Sequence, residues 1–533
     1  MDQQQRLLLA FALSILLWVG YQELVLKRYE QPIPPPEEIA SPGEAPTEGR
    51  STSNTTLPPS PSAPPPGATP AKAVHGLAAP AAGATVIVET DLSRITITAR
   101  GGRLLAVELK EYRETVDRES PPLNLVRTGE VLPVTLRLTD GQSDAGVDYS
   151  ADVGSIQVHG SERRDVVLRG TLADGRAIEK RFTFQGDSYQ FEVAARLPGS
   201  SSLDLVLPAL PPLDPAGVGA ETAVALQGTK YTYAAVSKLT AAAPLERPQS
   251  TWSGFASHYF LMAAVPLVAP SDGWFGVVDE LPIARQTAAV GDSQAFAVYA
   301  GPKAESSLEH AGHDLIRALD FGYFWFAAIP LLHALRFLHR LLGNYGVSII
   351  LLTTGVKILT IPLTQATFRN MREMQKLQPQ MTKLRERYKD DAAMLQKEMM
   401  ELYRRHRVNP FSGCVPMLLQ LPIFVGLYNT LSSAIELRHA PFALWVRDLS
   451  APDRLMMAGT GVPVLTLLMG GTMLLQQWIT PAQGDPTQQR AMMFMPLVFT
   501  FMFINLPSGL VLYWLVNNVL TIAQQYWMLR TSK

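Results

Sequence analysis

The sequence predicts a polytopic α-helical membrane protein of six spans, five forming a C-terminal core, with a large antiparallel β-sandwich domain inserted after the first span. Three observations predict it. Only 17% of the 533 residues are Asp, Glu, Lys or Arg, against about 25% in ordinary soluble proteins, while 47% are hydrophobic. Residues 84–302 alternate apolar and polar side chains with period two. Beyond Lys303 the chain reads as helical, with long stretches free of charge. Forty-six basic residues against 47 acidic ones give a net charge of -1, which excludes a chain-wide nucleic-acid-binding character. The single cysteine, Cys414, excludes an intramolecular disulfide framework and a multi-cysteine zinc site, and no cofactor is expected.

Residues 1–29 form the first span, its apolar run extending from Leu7 to about Leu26. A cleaved signal peptide has a shorter apolar core followed by small residues, whereas Trp18, Tyr21, Glu23 and Lys27 stand here, so an uncleaved anchor is expected. Residues 30–83 hold 14 of the 41 prolines and read as a semi-extended linker. Within 84–302, runs such as Ile95-Thr96-Ile97-Thr98, Arg181-Phe182-Thr183-Phe184 and Tyr189-Gln190-Phe191-Glu192-Val193 are strands. Gly101-Gly102, Asp140-Gly141 and Asp174-Gly175 are turn signals between such strands.

Residues 303–342 read as a linker and an amphipathic helix on the bilayer surface, because His333, Arg336, His339 and Arg340 recur at helical spacing between leucines. Charge gaps define the spans that follow. The second span, 343–368, contains Lys357 as its only charge, and four further spans are placed within 408–533 at about 414–434, 459–478, 491–505 and 508–528. The last two share one uncharged gap of 39 residues, from Ala491 to Leu529. As a single helix that gap would reach about 58 Å, nearly twice a ~30 Å hydrocarbon core. Asn505-Leu506-Pro507-Ser508-Gly509 divides it.

Between spans, residues 369–407 carry eleven Lys or Arg against six acids, and short positive loops stay cytoplasmic. Both termini are then cytoplasmic and the β domain lies on the other side. Met371, Met374, Leu377, Met381 and Leu384 recur at spacings of three and four, and Met394, Leu395, Met399, Leu402 and Tyr403 form a second apolar stripe after Lys389-Asp390-Asp391, so the segment is a helical hairpin. Its stripes either pack the two arms together or offer an adaptable methionine face to apolar clients and anionic lipid. The basic residues interleave with acids and lack an aromatic stacking row, so no direct nucleic-acid contact is expected.

A lysine inside a span costs about 2.5 to 3.5 kcal/mol on insertion scales. No other C-terminal span supplies an Asp or Glu to offset Lys357, and Thr353, Thr360 and Thr364 share its helix face, which favours a water-filled groove. Gln420, Gln476, Asn517, Asn518 and Thr521 are candidates to complete its lining. A solute or ion transporter is the alternative reading. Such a protein usually carries an intramembrane acidic or histidine relay or paired broken helices. An intramembrane hydrolase would need a nucleophile and a base, and the C-terminal spans contain neither His nor Asp. Passage of a hydrophilic peptide segment, while its apolar neighbour slides into lipid, suits such a recess better.

Several strings resemble the YidC-type membrane protein insertases of Gram-negative bacteria, within the Oxa/Alb superfamily. They are Gly343-Asn344-Tyr345-Gly346, Ile361-Pro362-Leu363-Thr364, Val408-Asn409-Pro410, Gln420-Leu421-Pro422-Ile423-Phe424, Ala440-Pro441-Phe442-Ala443-Leu444-Trp445 and Pro507-Ser508-Gly509-Leu510-Val511-Leu512-Tyr513-Trp514. The resemblance implies a periplasmic β-supersandwich and a five-helix core with a groove open to lipid and cytoplasm, in a chaperone-like insertase of the inner membrane. It implies as partners nascent membrane-protein clients, membrane lipid, the Sec translocon and the ribosome. It places the groove cation at Lys357, usually an arginine in the family, the groove threonine at Thr353 and the last span's aromatic at Trp514. The lysine keeps the charge but loses the planar bidentate fork. The mutarotase-like fold implied for the β domain raises a glycan-enzyme alternative, but His159 and His258 are that domain's only histidines and no enzyme activity is expected.

Overall fold

The computed structural model describes residues 84–531, with gaps at 118, 128, 139–140, 199–201, 214–220, 241–243, 289–292, 390, 407–414, 458 and 480–485. The expected anchor, 1–29, and linker, 30–83, lie outside the described residues. Residues 84–302 form two β-sheets around one core. In the smaller sheet, Thr85–Glu89, Ser93–Thr98, Arg103–Arg113 and Pro122–Asn124 pair antiparallel in succession. Gly101 and Gly102, both at positive φ, make one turn, which a β-carbon would strain. The expectation of a wholly antiparallel domain needs one correction: Ile87–Glu89 pairs parallel with Ser155–Gln157. The chain reaches that edge after a bridge into the second sheet at Ser150–Ala151, so its direction is set there and not by a hairpin.

The larger sheet has thirteen strands, with Thr135–Leu138 and Ser150–Ala151 at the ends of its main path. Inward residues of both sheets share the core: Val88, Ile95 and Ile97 from one, Phe182, Phe184 and Trp252 from the other. The phenylalanines 182, 184 and 191 also contact one another, with centroids 5.3 to 6.4 Å apart.

Inside this core lies an ion pair that period-two reading did not single out. Lys180 and Asp144 are both fully buried, with Nζ 2.6 Å from Oδ2. The ammonium also donates to the carbonyls of Gly101, Gly102 and Val134 at 2.9 to 3.1 Å. Asp144 accepts from the Leu136 N–H at 2.8 Å and the Tyr149 hydroxyl at 3.1 Å. Every polar atom of the pair thus has partners, which is the condition under which buried charge is tolerated. The node joins a turn of the small sheet to three separate segments of the large one.

The helical part follows. A short helix α1 (Glu305–Ala311) leads to α2 (Trp325–Leu342), α3 (Tyr345–Arg387), α4 (Ala392–Arg405), α5 (Val415–Ser433), α6 (Val464–Ile479), α7 (Pro486–Phe503) and α8 (Ser508–Thr531). Helix α2 buries Ala328, Leu332 and Leu335 against α3 and α5 while Phe326, Phe337 and Leu341 stay exposed, an amphipathic helix with one apolar face still uncovered. Helix α3 covers both the expected second span and the first hairpin arm without interruption, Pro362 and Pro379 included. Among the described residues only 345–362 is by itself long and apolar enough to cross a membrane; 464–479 and 493–503 are shorter apolar helices. Helix α8 is 24 residues long but carries Asn517, Asn518, Gln524 and Gln525, which lower its hydropathy.

Polar contacts seat the β domain on the helices. Arg336 of α2 pairs with Glu305 of α1 and, at 2.6 Å, with Glu436 after α5. Arg438 donates to the Arg113 carbonyl at 2.8 Å and stands over the Phe260 ring. The His258 ring bonds the Ser432 carbonyl at the end of α5. Burial holds the pKa of His258 below its usual value, despite the hydrogen bond to Ser432. Unfolding therefore takes up a proton as pH falls below about 6.5, so this contribution is present above that pH and lost beneath it. The drop in melting temperature between pH 7.5 and 5.5 should accordingly be smaller in His258→Gln than in the unaltered protein.

Candidate functional site

The site is built between α3 and α8, and its closed end comes first. The side chain of Asn344 accepts from the Val347 N–H at 3.1 Å, capping α3, and donates to the Phe442 carbonyl at 2.9 Å. Gly346 lies under the Phe442 ring, so close that an added β-carbon would sit 2.1 Å from Cδ2. At the start of α8, the Ser508 hydroxyl donates to the Asp448 carbonyl and the Gly509 N–H to the Leu449 carbonyl, each at 2.8 Å. Ile349, Leu449 and Leu510–Tyr513 are buried behind these contacts. The loop between α5 and α6 thus seals one end of the α3–α8 pair. Gly346→Ala should displace Phe442 and cost about 1 to 3 kcal/mol, read as a lowered melting temperature of the purified protein.

Lys357 stands further along α3, opposite α8. Lys357 is half-buried, while Ile358 and Leu359 are 61% and 77% exposed. The Lys357 ammonium donates to the Thr521 hydroxyl at 2.7 Å, and that hydroxyl donates to the Asn517 carbonyl at 2.6 Å. No carboxylate pairs with Lys357 among the described residues. Thr360 lies one turn on, half-exposed, its hydroxyl returned to the backbone of Val356 and Lys357. Lys357, Thr360, Thr521 and Asn517 are thus brought to one stretch of the α3–α8 pair. Gln524, three residues beyond Thr521, falls on the same face of α8 by helical spacing, and both its amide atoms are enclosed with no partner among the described residues. Sequence reasoning missed Gln524, although its spacing from Thr521 was the available signal.

Other expected groove residues sit elsewhere. Thr353 is 2% exposed and spends its hydroxyl on the Ile349 carbonyl at 2.6 Å, inside the closed end. Asn518 is buried towards α6, where its amide donates to the Thr472 hydroxyl at 3.3 Å. Asn517 and Asn518 are neighbours about 100° apart around a helix, so they cannot face one partner. Trp514 packs edge-on against Phe424 of α5 at 4.8 Å and Phe503 of α7 at 4.9 Å, a junction of three helices. The side chain of Gln420, on α5, lies outside the described residues.

In the hairpin, Asp391 caps α4 by accepting from the Met394 N–H at 2.9 Å. Leu377 and Met381 are buried, and the Tyr403 hydroxyl lies 3.9 Å from the Met381 sulfur, so part of the stripe packs the arms together. Met374 and Met399 are half-buried, Met394 and Met400 exposed, and the side chain of Met371 lies outside the described residues.

Two family models match the chain from residue 85 onward: the YidC periplasmic domain over residues 85–334 and the 60Kd inner membrane protein over 337–533. A membrane protein insertase YidC from Geobacter metallireducens is 37% identical over 98% of this chain and 97% of its own length. The chain belongs to the YidC membrane protein insertase family. The YidC of Syntrophobacter fumaroxidans is 38% identical over 83% of this chain and 86% of its own. A solved structure of an active YidC insertase, with its first transmembrane domain resolved, is 20% identical and covers 84% of this chain and 95% of its own at a TM-score of 0.37, too low to add to the sequence relation. Residues 85–334 are therefore a YidC periplasmic domain, the protein is an inner-membrane insertase, and the transporter alternative is not favoured.

Proposed function

We propose that this YidC insertase moves clients through a hydrophilic recess between α3 and α8, closed towards the periplasm and open to cytoplasm and lipid. Six spans, with both termini cytoplasmic, are the topology this mechanism uses. The observation that carries the reading is Lys357, a cation with no carboxylate partner among the described residues, bonded only to the Thr521 hydroxyl. Such a group asks for water or for an incoming anion. Gln524 adds an amide whose enclosed polar atoms have the same requirement.

A client's polar, acidic segment would enter from the cytoplasm, meet Lys357 and Thr360, and so cross only part of the hydrocarbon thickness. The driving force would be transfer of the client's apolar segment into lipid, about 0.8 kcal/mol per CH₂. No nucleotide is needed for such a step, and the sequence contains no GxxxxGK[ST] loop. The exposed Met394 and Met400, rimmed by basic residues, suit first contact with apolar nascent chains emerging from a ribosome. The same recess would serve clients alone or beside the Sec translocon. A photoreactive residue at 360 or 521 should crosslink stalled nascent clients, whereas one at 353, inside the closed end, should not; equal capture at 353 would contradict the recess.

A further inference from the structure

We infer that the loop joining α5 and α6 carries a lipid anchor, Leu444 with Met456 and Met457, seated in the headgroup region of the periplasmic leaflet. The inference rests on the reading of α5 and α6 as spans. Leu444 is 89% exposed and has a φ of +55°, a backbone region that leucine rarely adopts. The loop around it is fixed. The Phe442 N–H donates to the Val446 carbonyl at 3.0 Å, the Leu449 N–H to the Ala440 carbonyl at 3.0 Å, and the Trp445 indole to Asp453 at 2.7 Å. A rigid frame therefore holds a large apolar side chain outward.

A few residues on, Leu455–Met457 pairs with Thr460–Val462 in a hairpin that contains no charged residue. Met456 and Met457 are neighbours on one strand, so they point to opposite faces, yet they are 69% and 55% exposed. A small two-stranded ribbon bare on both faces is marginal in water, and an apolar phase around it removes that cost. The fold puts that phase in place: the loop begins where α5 ends, finishes where α6 begins, and bridges the start of α8 through Pro452 and Pro507. Exposed Arg447 flanks the apolar tips, placed to reach lipid phosphates, while Arg454 ties the hairpin to the turn before α8 by donating to the Ile504 carbonyl at 2.9 Å and the Asn505 side chain at 3.0 Å. Because the same loop seals α3 and α8, anchoring it sets the depth of the recess. Lys357, thirteen residues beyond Asn344 on α3, then lies about 20 Å further along the helix axis.

The test is a depth measurement on the full-length protein in proteoliposomes of phosphatidylethanolamine and phosphatidylglycerol. Nitroxide labels are placed, one at a time in a Cys414→Ser background, by Leu444→Cys and Met457→Cys. Leu474→Cys on α6 and Val268→Cys, 71% exposed on the β domain, serve as controls. Relaxation by a water-soluble nickel chelate is compared with relaxation by oxygen. The expected result is loss of nickel relaxation at 444 and 457 relative to 268, with oxygen relaxation approaching that at 474. Nickel relaxation at both tips equal to that at 268, with 474 embedded in lipid, overturns the anchor and leaves the spans intact. Full nickel access at 474 overturns the span reading itself and the anchor with it. Tips shielded from nickel and from oxygen alike would mean that a protein covers them, which also overturns a lipid seat.

Discussion

Lys357→Glu is expected to stop insertion of clients whose translocated segment is acidic, and Lys357→Ala to slow it about ten-fold, whereas Lys357→Arg should retain the unaltered rate. Among the described residues the Lys357 ammonium has one hydrogen-bond partner, the Thr521 hydroxyl, and no carboxylate partner. Its field is therefore free to act on an incoming chain. At an effective dielectric of about 20, opposite unit charges 4 Å apart attract by about 4 kcal/mol, and hydration of the recess reduces this to the 1 to 2 kcal/mol that a ten-fold rate change represents. Arginine supplies the same charge, and attraction alone does not need lysine's geometry. The measurement is the initial rate of protease protection for a client series graded in acidic residues. The slope of rate against client charge should flatten in Lys357→Ala and reverse in Lys357→Glu. A client with a basic translocated segment should then be helped by Lys357→Glu, an outcome that loss of folding cannot mimic.

The second large effect concerns stability. Lys180→Ala should destabilise the β domain by about 3 to 5 kcal/mol, because Asp144 would remain fully buried with its cation gone. The three carbonyls that Lys180 satisfies, from Gly101, Gly102 and Val134, would lose their donor as well. Replacing both members by apolar residues of similar volume, Lys180→Met with Asp144→Leu, should recover much of the loss, since no isolated charge is then left inside. Thermal unfolding of the full-length protein, followed by the fluorescence of Trp252 and its neighbours, reads both effects. A single variant as stable as the parent would mean that water reaches the pair.

How far the sequence carried this account depends on the kind of signal each feature leaves. The strands around Ile95, Phe182 and Phe191 were legible because one face is buried, and burial of one face imposes period two. The parallel pairing of Ile87–Glu89 with Ser155–Gln157 was not, since it depends on how the chain passes between sheets and leaves no local pattern. Lys357 was legible because a charge in an apolar run has a cost that something must offset. Its partner, Thr521, was only one of several polar candidates. Thr353 shares the helix face of Lys357 but lies four residues nearer the seal, and helical spacing says nothing about how deeply each position along an axis is packed. Trp514 and Asn518 show the same limit: both belong to α8, but they turn to α5, α6 and α7. The ion pair of Lys180 and Asp144 was invisible because a lone lysine at an inward strand position reads as an irregularity until its partner, thirty-six residues earlier, is brought beside it.

The central claim is that this chain inserts membrane proteins through the Lys357 recess without nucleotide or translocon. Its most direct test is reconstitution of the purified protein into liposomes lacking the Sec translocon and ATP, with a small single- or double-span client and protease protection as the readout. Protection is expected with the unaltered protein and with Lys357→Arg, and little with Lys357→Glu for an acidic client. Protection unchanged in Lys357→Ala and Lys357→Glu for every client tried would contradict the role given to the cation. No protection by folded, correctly oriented protein would contradict autonomous insertion itself.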